Sequence, residues 1–224
     1  MEHQDEKIIR VTGKGTVHIA PDITRVTVNI KSLGRTYPEL YQRAQLNLQE
    51  LGNIVEKHGL PKKLPKTISF DIDKHEVAKY DAKGNFNGYV FEGYELKQEI
   101  KIDLGMDTKV LASIVQLIGQ LLTDAQINIG YTVKEPRPAE LRMLEKAVKD
   151  ATEKADIMAK AAGCKLGLVK EIDYSEQHIE IYSQVREMSC AEAPCADEAS
   201  LDINPDDLAA TQRVTITWYL SNAK

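Results

Sequence analysis

The sequence predicts an α+β fold, with antiparallel sheet packed against three helices in the order β-β-α-β-β-α-β-α-β-β. Two alternating stretches carry the β part of this prediction. Val26, Val28 and Ile30 alternate with Arg25, Thr27, Asn29 and Lys31, while Leu96, Gln98, Ile100, Ile102 and Leu104 alternate with Lys97, Glu99, Lys101 and Asp103. A period of two with charges confined to alternate positions marks antiparallel strands with one wet face. The α part rests on apolar residues recurring at spacings of three and four in three other segments. A chain of 224 residues can bury a substantial core, either as one large domain or as two packed halves.

The elements follow in order. Ile8 to Ile19 is a strand, in which Gly13 and Gly15 are expected to mark a β-bulge or bend. Pro21-Asp22 is a turn signal, and the alternating strand around Val26 to Ile30 comes after it. The first helix buries Leu40, Ala44, Leu48, Leu51 and Val55. Thr36 as N-cap with Glu39 three residues on makes a capping box, Pro38 fits the first turn, and Gly59 and Pro61 end the helix. Thr67 to Val77 and Tyr89 to Leu104 are strands, joined through the polar turn Tyr80-Asp81-Ala82-Lys83-Gly84-Asn85.

A second helix over Thr108 to Leu122, capped by Asp107, is apolar on more than one face and should be deeply buried. Ile127 to Val133 is the next strand. The third helix spans Pro138 to Ala162 and is expected to bury Leu141, Leu144, Val148, Ala151, Ala155, Met158 and Ala162, with Gly163 as its stop. Its alanines favour close packing on a sheet over a coiled coil. Val169 to Ile181 and Arg213 to Leu220 are the last strands. Between them, residues 188–207 form an acidic, Ala- and Pro-containing insertion expected to be flexible, of which Leu201 and Ile203 could dock weakly.

Composition excludes several classes of function. Hydrophobic residues make up 42% and charged residues 28%, an ordinary globular balance that argues against global disorder. The net charge is -5 and the basic residues are scattered, with no patch longer than Lys62-Lys63, so no nucleic-acid partner is expected. No apolar run reaches the roughly 20 residues of a membrane span; Val110 to Leu122 is interrupted by Gln116 and Gln120. The acidic start, Met1-Glu2-His3-Gln4-Asp5-Glu6, does not read as a secretory leader. Two locations stay open on these grounds, the cytoplasm or an exported compartment reached with a leader since removed. The three cysteines, Cys164, Cys190 and Cys195, are no disulfide framework, although Cys190 and Cys195 could close a small loop in an oxidising compartment.

The usual catalytic patterns fail on spacing. Gly13-Lys14-Gly15 lacks a third glycine and a following helix, so it offers no phosphate cradle. The five histidines, His3, His18, His58, His75 and His178, are widely separated. A metal site would have to join His18 to Asp22, or His75 to Asp73 and Glu76, and none is expected. There is no Gly-x-Ser-x-Gly nucleophile elbow. Asp71 and Asp73 share a strand face, but a carboxylate pair does acid–base work only where burial drives the two pKa values apart. No cofactor is predicted. Tyr80, Tyr89, Phe91 and Tyr94 cluster around the central hairpin, as cross-strand packing or as a candidate docking surface.

The order of the weaker motifs resembles the SIMPL-domain family. Val11-Thr12-Gly13-Lys14-Gly15, then Pro21-Asp22, then the alternating Val26-Thr27-Val28 is similar to that family's opening. Gly93-Tyr94 before a long strand, the series Ala147, Ala151, Ala155, Ala159 and Ala162 ending in Gly163 and Leu166-Gly167, and the closing Val214 to Leu220 strand resemble its later elements. The resemblance covers about residues 8 to 220. It implies a protein of unknown molecular function, often periplasmic or in the cell envelope in bacteria, with homo-oligomers among its members. One animal relative implies an adaptor role. It carries no catalytic residue. The expectation is therefore a non-enzymatic, self-associating binding or scaffold protein; an envelope stress or signalling adaptor and a hydrolase with an unrecognised site are the alternatives.

Overall fold

In a computed structural model of the protein, which describes residues 7–122, 124–174, 181–189 and 205–222, the first strand β1 (Ile8–Ile19) runs antiparallel to the last, β8 (Leu208–Asn222). Their register is continuous from Ile8 opposite Tyr219 to Ile19 opposite Leu208. The bulge expected at Gly13 and Gly15 is therefore absent. The glycines serve a different need, the close approach of helix α3 (Arg137–Ala161). A Cβ at Gly13 would lie 2.0 Å from the Ala147 carbonyl oxygen, and one at Gly15 would lie 1.9 Å from that of Met143. Only hydrogen fits between this strand and this helix.

That approach also corrects the buried face of α3. The stripe against the sheet is Ala139, Met143, Ala147, Ala151, Ala155 and Ala159, an i,i+4 row of mostly small residues. Leu141 and Met158, expected inward, are exposed, as is Ala162. A helix this close to backbone has no room for leucine on its contact face, so the larger residues turn outward or sit at the flanks. Leu144 and Val148 pack there beside a core of Val11, Val214, Ile216 and Trp218. Strand β6 (Cys164–Asp173) pairs with β8 on its other side, completing a three-stranded sheet in the order β1-β8-β6. The elements β1, α3, β6 and β8 form one compact unit.

The second compact unit holds β2 (Ile23–Gly34), α1 (Tyr37–Lys57), β3 (Lys66–Tyr80), β4 (Phe86–Leu104), α2 (Thr108–Leu121) and β5 (Ala125–Thr132), with β7 (Tyr182–Ser189) at one edge of its sheet. The five-stranded order is β3-β4-β2-β5-β7. Alternation does what the sequence predicts: Val26, Val28 and Ile30, Ile100, Ile102 and Leu104, and Ile127 and Ile129 enter one core with residues of both helices. Each such side chain, fully buried, contributes on the order of 1.5–3 kcal/mol. Thr36 caps α1 as predicted, the Glu39 amide donating to Thr36 Oγ1 at 3.5 Å, but the Glu39 carboxylate reaches one residue further back than the capping box requires, accepting from the Arg35 amide at 3.1 Å.

Two polar devices fix the helices. Gln98 lies in the apolar face of β4 yet is only 4% exposed. It accepts from Asn47 Nδ2 at 3.2 Å and donates to the Ala44 carbonyl at 3.2 Å, which sets α1 on the sheet. At the end of α1, His58 Nδ1 donates to the Ile54 carbonyl at 3.0 Å, while Nε2 meets Ser113 Oγ of α2 at 2.7 Å. Helix α2 is buried along Leu111, Ile114, Val115 and Ile118, although Leu121 is exposed.

The α+β class and the element order stand. The run Val169 to Ile181, read as one strand, instead contributes only its first part, to Asp173, to β6, which begins earlier at Cys164; β7, in the other sheet, begins after the run at Tyr182 and was not anticipated. Of the predicted insertion, Met188 and Ser189 end β7; residues 190–204, with Cys190, Cys195, Leu201 and Ile203, lie outside the described residues, as does His178.

Candidate functional site

Strands β3 and β4 are longer than predicted, and the extra length changes what they form. β2 ends at Gly34, opposite Tyr94 of β4. Past that point β3 and β4 continue, alone among the described residues, as a two-stranded ribbon, which turns at residues 81–85. Phe86 to Gly93 at the usual strand rise makes this arm roughly 23 Å long.

The aromatic side chains of the arm share one face, and two irregularities of register bring this about. His75 pairs with Gly93 and Glu76 with Phe91, so Glu92 is an extra residue on β4. Phe91 and Tyr94, three apart, would otherwise face opposite ways; across the bulge their rings meet at 5.1 Å. Nearer the tip, Ala78 pairs with Tyr89 and Tyr80 with Phe86, which again inserts one residue on β4. Phe86 and Tyr89 thereby meet at 5.2 Å, and Tyr80 reaches Phe86 across the strands at 6.2 Å. Tyr89 and Phe91, two apart on one strand, project to the same side. At the root, Tyr94 packs on Tyr37 of α1 at 4.2 Å. The result is an aromatic stripe on one face made of two ring clusters, Tyr80, Phe86 and Tyr89 near the tip and Phe91, Tyr94 and Tyr37 at the root.

Glycines permit both irregularities. Gly88 has φ +94° and Gly93 φ +145°, in the region that disfavours side chains. Gly93 also lies against the end of β2, where a Cβ would come within 2.5 Å of the Gly34 carbonyl oxygen. The stripe is wet: Tyr89 is 68% exposed, Tyr80 61%, Phe86 56% and Phe91 49%. Val77 and Val90 are also exposed and sit opposite one another on the other face.

The turn is built around Asp81. Its Oδ1 accepts from the amides of Lys83 at 2.8 Å and Asn85 at 2.9 Å, and its Oδ2 accepts from Asn85 Nδ2 at 3.2 Å. Hydrogen bonds from Asn85, first through its backbone and then its side chain, hold the Asp81 carboxyl below the ordinary aspartate range. At the root lies an open cleft of about 300 Å³ lined by Leu33, Arg35, Glu39, His75, Glu92 and Tyr94 among others.

All four predicted docking residues, Tyr80, Tyr89, Phe91 and Tyr94, thus belong to one surface. Tyr37 and Phe86 complete it and were not anticipated. Phe86 could have been found by extending β4 back to the Asn85 turn; Tyr37 joins only through the helix packing. The other candidates do not converge. Asp71 and Asp73 stand exposed on the polar face of the sheet, with Asp73 bonded to Lys97 at 3.1 Å. Lys97 is held protonated above the usual lysine range by the hydrogen bonds it donates, first to Asp73 and then to Glu95. His18 is exposed and His75 lines the cleft, and among the described residues no three His, Cys, Asp or Glu side chains group to hold a metal. Among them, too, no helix is long and apolar enough to cross a membrane.

Fold and surface together describe an α+β protein of two units, one of which extends an aromatic ribbon. The chain belongs to the SIMPL family, described as proteins of unknown function (DUF541), whose sequence model matches residues 9–218. No curated protein matches the chain.

Proposed function

We propose that this protein is a non-enzymatic, self-associating binding or scaffold protein, and that the β3–β4 arm is its docking surface. The observation that carries this reading is the alignment of the aromatic rings on one exposed face by two bulges. A two-stranded ribbon is marginal in water by itself. Contiguous exposed aromatic area on such a ribbon is the mark of a surface that is covered in use. The exposed, ion-paired setting of Asp73 counts against a buried catalytic carboxylate pair with Asp71.

Light scattering coupled to size-exclusion chromatography tests this reading across micromolar concentrations. Assembly of the wild-type chain, lost in the Tyr89→Ser/Phe91→Ser variant with unchanged thermal unfolding, is the expected result. A strictly monomeric wild type would remove the self-association and leave the arm to a heterologous partner, as in an adaptor.

A further inference from the structure

The tip of the arm and the cleft at its root carry complementary features. At the tip, both oxygens of Asp81 are taken up by hydrogen bonds of their own turn, and Lys83, two residues on, adds an ammonium group beside that carboxylate. Lys83 is exposed and has no ion-pair partner among the described residues. The cleft carries charges of both signs, Arg35, Glu39 and Glu92; of its carboxylates, Glu39 is already taken up by the Arg35 amide at 3.1 Å and the Arg43 guanidinium at 3.8 Å. Glu92, the extra residue of the root bulge, is exposed and has no such partner among the described residues.

We propose that the tip of the arm seats in the root cleft of a second copy, pairing Lys83 of each chain with Glu92 of the other. The inference rests on the assembly reading above and names its contact. Geometry supports the reciprocity. Two arms laid antiparallel, stripe against stripe, bring the tip of each to the root of the other, because the distance to be spanned is the arm's own length. The interface is then isologous, with the same patch used twice, so it closes as a pair. The aromatic stripes supply the apolar centre and the two Lys83–Glu92 contacts fix the register at its ends.

Charge exchange in the full chain tests this. Lys83→Glu and Glu92→Lys should each weaken association about tenfold or more, since each sets like charges against one another at both ends. An equimolar mixture of the two variants should recover wild-type association, because every contact in the mixed pair again joins opposite charges; the double variant K83E/E92K should recover it too. Circular dichroism melting of each variant checks that the exposed substitutions leave folding intact. Association unchanged in both single variants, or no recovery on mixing, overturns the inference and leaves the assembly reading standing. A wild type that is monomeric throughout overturns both.

Discussion

Asp81 and Asn85 clamp one another across the tip of the arm: the Asp81 amide donates to the Asn85 carbonyl at 2.8 Å, and the Asn85 amide and side chain return bonds to the two Asp81 oxygens at 2.9 and 3.2 Å. The carboxylate is the acceptor in two of these three bonds, so the turn depends on its charge. With the folded pKa depressed, the clamp is fully present above the ordinary aspartate pKa and is lost as pH falls through the lower, folded value. Amide exchange at Lys83 and Asn85 should therefore rise sharply only in strong acid in the wild type. In Asp81→Asn it should already be raised at neutral pH, while the global melting temperature stays unchanged.

The strand–helix approach in the first unit predicts a large effect from a small change. Gly15→Ala would place a methyl group against the Met143 carbonyl, and Gly13→Ala would do so against that of Ala147. Backbone cannot step aside as a side chain can, so each substitution should cost about 2–3 kcal/mol. The only tryptophan, Trp218, is 3% exposed in that same core. Its fluorescence during urea unfolding reports the loss directly; an unchanged midpoint in both variants would contradict the close approach.

The buried Asn47–Gln98 pair predicts non-additivity. Gln98→Ala leaves the Asn47 amide unpaired inside the protein and should cost roughly 2–3 kcal/mol. Asn47→Leu/Gln98→Leu removes donor and acceptor together and should lie far closer to the wild type than the sum of the single changes. A double-mutant cycle in denaturant measures the difference.

Gly88 offers a test of how the aromatic stripe is aligned. Gly88→Ala forces a side chain into φ +94°, at a position with open space around it, so the expected cost is conformational, about 1 kcal/mol. Loss of the bulge would break the contact of Phe86 with Tyr89. Side-chain cross-relaxation between these two rings in NMR spectra should disappear while that between Tyr37 and Tyr94 persists.

Much of the fold was legible because it is written in local periods. The alternation around Val26 and Ile100, the Thr36 cap and the Asp107 cap all depend on neighbours in sequence, and all appear as read. What depended on distant neighbours was not. Gly13 and Gly15 could not be assigned to helix contact without knowing that Ala147 and Met143 lie over them. For the same reason Leu141 and Met158 were placed inside, although a helix on glycine buries alanine. The aromatic cluster was visible as composition, but its single face was not: a regular strand would divide Phe91 from Tyr94, and only the bulge at Glu92 unites them.

The contact between β1 and α3 has a consequence for growth of the smaller sheet. The Lys14 amide donates to Asp150 Oδ2 at 2.7 Å, and the Thr16 carbonyl accepts from Lys146 Nζ at 3.0 Å. Those groups point away from β8 and are the ones an incoming strand would need. The helix has thus closed the free margin of β1 with its own side chains, and along that stretch no foreign peptide can add itself to the sheet without first displacing an aspartate and a lysine.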